Sequence, residues 1–294
     1  MKKCLMNWAG CGAVALLTIM TARAEVLLFD LGDVKLSGEA GANTFYAGGG
    51  AYGTLASSDG DLQFSWTATA NQSTYFLSYF EKQTLTVGQS LKLDYTVTPS
   101  SAAIFSSSGN GFRFGLYDSK DNTKLTADLA APNLNDDSLK KYQGYIAQLS
   151  AQTGNGNGAY VRKNTEVGNP FTSANNFSGT TSPTLKGPAT AGVEWNGSLM
   201  FTRTADGLLL ENYIGGVLAQ SGEFLIPTTA AYFTDSFDTL AFFVYTGNGA
   251  TPSLTFSNLS ITLIPEPSVT FLLATGGGIL LALMAARCKR RCGC

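Results

Sequence analysis

Ser90-Leu91-Lys92-Leu93-Asp94-Tyr95-Thr96-Val97-Thr98 alternates without a break, with Leu91, Leu93, Tyr95 and Val97 on one side and Lys92, Asp94, Thr96 and Thr98 on the other. Successive side chains of an extended chain point to opposite faces, so a period of two describes a strand with one face buried and one wet. Phe112, Phe114 and Leu116 alternate in the same way against Arg113, Gly115 and Tyr117. Residues 199–203 and 208–213 flank Ala205-Asp206-Gly207, where Asp-Gly is expected to supply the positive φ angles of a tight hairpin turn. Residues 240–245 are apolar on both faces and read as a central strand. The last run starts on Leu254 and Phe256 but resumes on Leu259, Ile261 and Leu263, so its parity changes near Ser257-Asn258. One extra residue there predicts a β-bulge.

Working outward, further apolar runs at 26–31, 62–66, 74–80, 142–149 and 159–162 bring the count to about a dozen strands. Between 25 and 264 there is neither a 12-residue amphipathic helix nor a fixed-period repeat. These features predict an all-β domain over 25–264, an antiparallel β-sandwich of two sheets packed face to face. Residues 164–190 lack periodicity and carry Pro170, Pro183 and Pro188, so they are expected to form a long loop.

Composition narrows the chemistry. The 294 residues include no histidine, which removes Ser-His-Asp and Cys-His catalysis and His-ligated zinc. The five cysteines, Cys4, Cys11, Cys288, Cys292 and Cys294, all lie near the ends, so residues 25–264 contain neither thiol nor disulfide. That same stretch has 12 basic against 20 acidic residues, a net charge of −8. An acidic body without a Lys/Arg stripe lacks the electrostatic footprint of a nucleic-acid binder.

The ends concern transport. Lys2 and Lys3, an apolar stretch over 13–20 and the small residues of Ala22-Arg23-Ala24 read as a signal peptide over 1–24, cut by signal peptidase after Ala24. At the other end, residues 269–286 hold 18 residues without a charge, enough for a helix of about 27 Å that spans a bilayer. The basic tail at 287–294 begins Arg287-Cys288-Lys289-Arg290-Arg291, a cationic stop that stays cytoplasmic. Pro265-Glu266-Pro267 ends the last strand and forms a stiff spacer before the helix, assigned to 268–286.

Pro265-Glu266-Pro267, a spanning segment and an Arg-rich end, in that order, resemble the PEP-CTERM protein-sorting domain over 265–294. The resemblance implies export across the inner membrane of a Gram-negative bacterium and a transient anchor in that membrane. It also implies cleavage near Pro265-Glu266-Pro267 by an exosortase, a membrane processing enzyme, and delivery to the cell surface or an extracellular polysaccharide matrix. The aromatic-rich strands closing on Leu254-Thr255-Phe256-Ser257-Asn258-Leu259-Ser260-Ile261-Thr262 are similar to concanavalin-like jelly rolls found ahead of such tails.

Jelly rolls bind sugars through aromatic platforms and calcium-ordered loops. Trp195, beside Glu194 and Asn196-Gly197, either stacks on a sugar ring or fills the core, while Trp66 sits in an apolar run and reads as core. Asp118, Asp121 and Asn122 offer hard oxygen ligands suited to calcium, or form a solvated turn, as Asp136-Asp137 also does. No other cofactor is expected. Glycoside hydrolysis requires two opposed carboxylates about 5 to 9.5 Å apart, and Glu194 and Glu211 lie on neighbouring predicted strands. The functional expectation is an exported, non-catalytic surface or matrix protein that binds exopolysaccharide. The alternative is a glycan-active lyase or hydrolase on the same scaffold.

Overall fold

The computed structural model describes residues 24–39, 43–48, 53–66, 72–101, 112–120, 124–129, 142–149, 159–164, 177–182, 190–226, 233–246 and 252–266, all within one compact unit, Ala24–Glu266. Ala22, Pro267 and the segments 268–286 and 287–294 fall outside the described residues, as do Asp121 and Asn122. Among the described residues no helix is long and apolar enough to cross a membrane.

The described residues form two eight-stranded sheets. The first runs β14 (Val217–Leu225), β13 (Gly207–Ile214), β12 (Trp195–Arg203), β7 (Ser90–Pro99), β16 (Ser253–Ile264), β5 (Asp61–Trp66) and β4 (Gly53–Ser58), with β1 (Val26–Asp30) also on β16. The second runs β11 (Phe177–Ser182), β10 (Ala159–Asn164), β9 (Gln143–Leu149), β8 (Phe112–Asp118), β15 (Ser236–Thr246), β6 (Gln72–Thr84), β3 (Thr44–Gly48) and β2 (Lys35–Leu36). Among the described strands only the short β2–β3 pairing is parallel. The expected two-sheet, all-β sandwich is therefore the observed architecture.

The alternation of β7 does what its pattern predicts: Leu91, Leu93, Tyr95 and Val97 are buried, and Lys92, Asp94, Thr96 and Thr98 are half-buried on the other face. An aromatic seam joins the sheets. Phe64 of the first stacks on Phe76 of the second at 4.4 Å between centroids, and Phe256 of the first meets Phe242 of the second at 4.9 Å. Such pairs contribute about 0.5 to 1.5 kcal/mol beyond their area burial.

The expected bulge is present. Phe256 pairs with Val97 and Asn258 with Thr96, leaving Ser257 as the extra residue. The other edge of β16 is shared, with β5 along its first half and β1 along its second.

Four expectations need correction. The hairpin joining β12 to β13 forms as predicted, but neither Asp206 nor Gly207 has a positive φ. The turn is instead closed by Thr204, whose N–H donates to the Gly207 carbonyl and whose hydroxyl accepts the Gly207 N–H. Gly207 is needed for close approach, since a Cβ there would lie 2.3 Å from the Phe224 carbonyl oxygen. The positive φ angles occur in two unforeseen hairpins, at Asp59-Gly60 between β4 and β5 and at Gly215-Gly216 between β13 and β14.

The predicted loop over 164–190 contains β11, paired with β10. The described residues hold sixteen strands rather than about a dozen. Finally, β8 is buried on both faces. Its second face belongs to an outer apolar layer of Tyr75, Leu77, Tyr117, Leu125, Tyr142, Ile146, Ala241 and Phe243.

Asn212 on β13 shares the inward parity of Leu208 and Leu210, is fully buried, and has no hydrogen-bond partner for either amide atom. A buried polar group left unpaired costs about 1 to 3 kcal/mol. Asn212→Leu, of similar volume, is therefore expected to raise stability by about 1 kcal/mol. A urea titration with an unchanged slope and a higher midpoint is the predicted result, and a lower midpoint contradicts it.

Candidate functional site

Asp118 closes β8 with its side chain buried, and Asp238 is buried beside it on β15. One Asp118 oxygen accepts the Lys120 N–H at 2.9 Å and meets Lys82 Nζ at 3.0 Å. The other meets Lys120 Nζ at 3.1 Å and accepts the Thr234 hydroxyl at 3.2 Å. Asp238 accepts from the N–H and hydroxyl of Ser119 at 2.9 and 2.6 Å and from Thr239 at 2.8 Å, and pairs with Lys124 Nζ at 3.0 Å.

Burial alone would raise the Asp118 pKa, but the Lys120 N–H and the Lys82 and Lys120 ammonium groups outweigh it and hold the carboxyl below its ordinary value. With its oxygens occupied and two ammonium groups at contact, Asp118 is a poor calcium ligand, which corrects the calcium expectation at this residue. Among the described residues no group of three or more acidic, Cys or His side chains is placed to hold a metal.

Tyr79 adjoins this network. Its hydroxyl accepts the Leu125 N–H at 2.8 Å and shares a hydrogen bond of 2.9 Å with Tyr142, while Lys124 Nζ lies 5.0 Å from its ring centroid. Burial pushes its pKa up to about 12, so the phenol is protonated at neutral pH and is a poor base.

Trp195 corrects the sugar-contact expectation. It is 5% exposed, lies in the main core and meets Tyr95 edge-on at 6.5 Å. Its parity with Leu199 and Phe201 on β12 points it between the sheets and leaves no face for a sugar. Glu194 and Glu211 do not oppose each other either. Glu211 pairs with Met200, six positions along from Glu194, a separation of about 20 Å at 3.3 to 3.4 Å per residue.

The outer face of the first sheet carries a groove that the sequence reading missed. It has a volume of about 340 Å³ and lies over β16, β7 and β12, at the low end of the roughly 300 to 1,000 Å³ of small-ligand sites. Strand register builds it as two rungs. Ser260, Asp94 and Ser198 form one, and Asn258, Thr96 and Asn196 form the other. Lys92 flanks Asp94 with Nζ 2.9 Å from its carboxylate, and Gly216 of the β13–β14 turn forms one wall.

The bulge at Ser257 is part of this construction. Unbroken alternation through Ser257 would give Asn258 the inward parity of Phe256; the bulge shifts that parity, so that Asn258 and Ser260 face outward into the groove. The side chains of Thr96, Asn196, Ser198, Asn258 and Ser260 are half-buried or exposed and enter no hydrogen bond with the described residues. Five adjacent hydroxyl and amide groups thus keep their donors and acceptors for water or a ligand.

No family model matches the chain, and no curated protein matches it either. Solved structures of similar backbone include a seed lectin from Lotus tetragonolobus, at 13% identity and a TM-score of 0.49, covering 82% of this chain and all of that one. A basic winged bean lectin solved with Tn-antigen is similar at 9% identity and 0.49, covering 82% of this chain and 98% of that one. An endo-1,3-beta-glucanase from Streptomyces sioyaensis is similar at 9% and 0.43, covering 83% and 98%. Lectins and a glucanase both occur among these similar structures.

Proposed function

We propose that the chain is an exported, non-catalytic surface or matrix protein that binds exopolysaccharide in the groove over β16, β7 and β12. The observation that carries this reading is the set of five unengaged polar side chains on a rigid sheet, the kind of surface that exchanges hydrogen bonds with sugar hydroxyls without rearranging. Asp94 is the one carboxylate among the groove residues, whereas hydrolysis of a glycosidic bond uses two.

Export rests on the sequence of the two ends. The signal peptide over 1–24 and the resemblance of 265–294 to a PEP-CTERM tail support secretion, transient anchoring in the inner membrane and release by an exosortase. The last described strand stops at Ile264, with Pro265 half-buried and Glu266 exposed just ahead of the proposed cleavage region.

Both parts are tested on protein recovered from the surface of its native host. Peptide mass mapping is expected to find Glu25 at the start and no residue after about Ser268, and the recovered protein is expected to be retained on an affinity gel of the host's own polysaccharide. An intact basic tail refutes the sorting step, and absence of retention refutes the binding step.

A further inference from the structure

Lys92 and Asp94 stand two residues apart on β7, so they share the outer face, and both are partly exposed in the groove, at 38% and 30%. An ion pair in that setting adds only about 0 to 1 kcal/mol to stability, so the fold has little need of it. Its position is more informative. It lies in and beside the rung of Ser260 and Ser198, where it presents an ammonium donor next to a carboxylate acceptor. Neighbouring hydroxyls of a sugar ring each donate and accept, and such a pair answers both at once through charge-assisted hydrogen bonds.

Resting on the binding function proposed above, we infer that the groove selects a neutral, hydroxyl-rich glycan chain and discriminates against acidic ones, with the Lys92–Asp94 pair as its selectivity element. The charge balance supports the choice. Lys92 and Asp94 cancel, so the groove offers no net attraction to a uronate or sulfate, and a carboxylate entering it meets Asp94 as a like charge. The 25–264 body, at −8, adds long-range repulsion of a polyanion. A neutral chain encounters neither penalty. The floor fits a chain as well as a single ring: the two rungs cross three strands spaced about 4.8 Å apart, and Ser, Thr and Asn keep the floor low between the Gly216 wall and Ser260.

The test uses the full chain held in a non-ionic detergent, and measures binding to a panel of neutral and uronate-containing polysaccharides at low and high salt. Wild type is expected to bind neutral polymers with little salt dependence and at least about tenfold more tightly than acidic ones. Asp94→Asn keeps the shape and removes the charge-assisted acceptor, so it is expected to weaken neutral binding about tenfold and to narrow the gap to acidic polymers. Ser198→Tyr places a ring in the groove from a half-buried position on the outer face of β12 and is expected to abolish binding, with thermal melts of both variants matching wild type.

If wild type binds no polysaccharide, the binding function and this inference both fall. If it binds but prefers acidic polymers, or if Asp94→Asn leaves the preference unchanged, the inference falls and the function stands. If Ser198→Tyr binds as wild type does, the groove is not the site and the inference is refuted.

Discussion

Phe242→Ala is expected to lower the unfolding free energy by about 4 kcal/mol, within the 3 to 5 kcal/mol that removing a buried Phe costs. Phe242 is 1% exposed on central strand β15 and meets four rings, at 6.2 Å for Phe45, 5.3 Å for Phe64, 5.8 Å for Phe112 and 4.9 Å for Phe256. Phe64 and Phe256 come from the opposite sheet, so truncation opens a cavity in the seam that holds the sandwich together. Strands on both sides fix the backbone of β15, and the site cannot collapse to fill the gap. Val87→Ala, at a half-exposed side chain, is the control and is expected to shift stability by less than about 0.5 kcal/mol. Urea midpoints for the two variants decide the matter: a Phe242→Ala midpoint no lower than the control's contradicts the packing account.

Asp238→Ala is expected to cost about 3 kcal/mol, through different physics. The carboxylate holds the Ser119 N–H and hydroxyl, the Thr239 hydroxyl and Lys124. Ser119 is 1% exposed, so its donors find no water in exchange, and each orphaned donor costs about 1 to 3 kcal/mol. Its neighbour Asp118 makes the same cluster sensitive to acid. Because the folded-state pKa of Asp118 lies below its unfolded value of about 3.9, its contribution is fully present above that value and is lost as pH falls through the folded value. The melting temperature is therefore expected to drop on acidification below about pH 4, and Asp118→Asn is expected to flatten that limb while lowering the plateau. A wild-type curve that is flat between pH 5 and pH 2 contradicts this assignment.

Legibility of the sequence depended on how local each signal was. The alternation of β7 and the parity change at Ser257 are carried by consecutive residues, and both reappear in the fold. By contrast, β14 and β11 lie at the outer ends of the two sheets, and Gln220-Ser221-Gly222 and Ser178-Gly179-Thr180-Thr181 carry little apolar periodicity to read. Two Asp-Gly pairs looked alike as dipeptides. Asp59-Gly60 has the positive φ angles and Asp206-Gly207 does not, because Gly207 is held against the Phe224 carbonyl of a strand many residues away.

Trp195 was readable. Its parity with Leu199 and Phe201 points inward, and that signal outweighs the polar residues flanking it. The second face of β8 was not, since a pattern does not say what lies on top of a sheet. The groove was hidden for a related reason. Its residues come from three stretches of chain around 94, 197 and 259, and each looked like the ordinary wet face of a strand. Only the register of β7 with β12 and β16 brings them side by side. The bulge was the one local clue that β16 turns a second set of polar residues outward.

The central claim is that the wet face of the first sheet is a glycan-binding surface. Its most direct test is a titration of the isotope-labelled protein with an oligosaccharide cut from the host's own neutral polysaccharide, following backbone amide shifts. The account predicts saturable shifts concentrated at Asp94, Thr96, Asn196, Ser198, Asn258 and Ser260. Shifts that saturate elsewhere, with these six unmoved, contradict it.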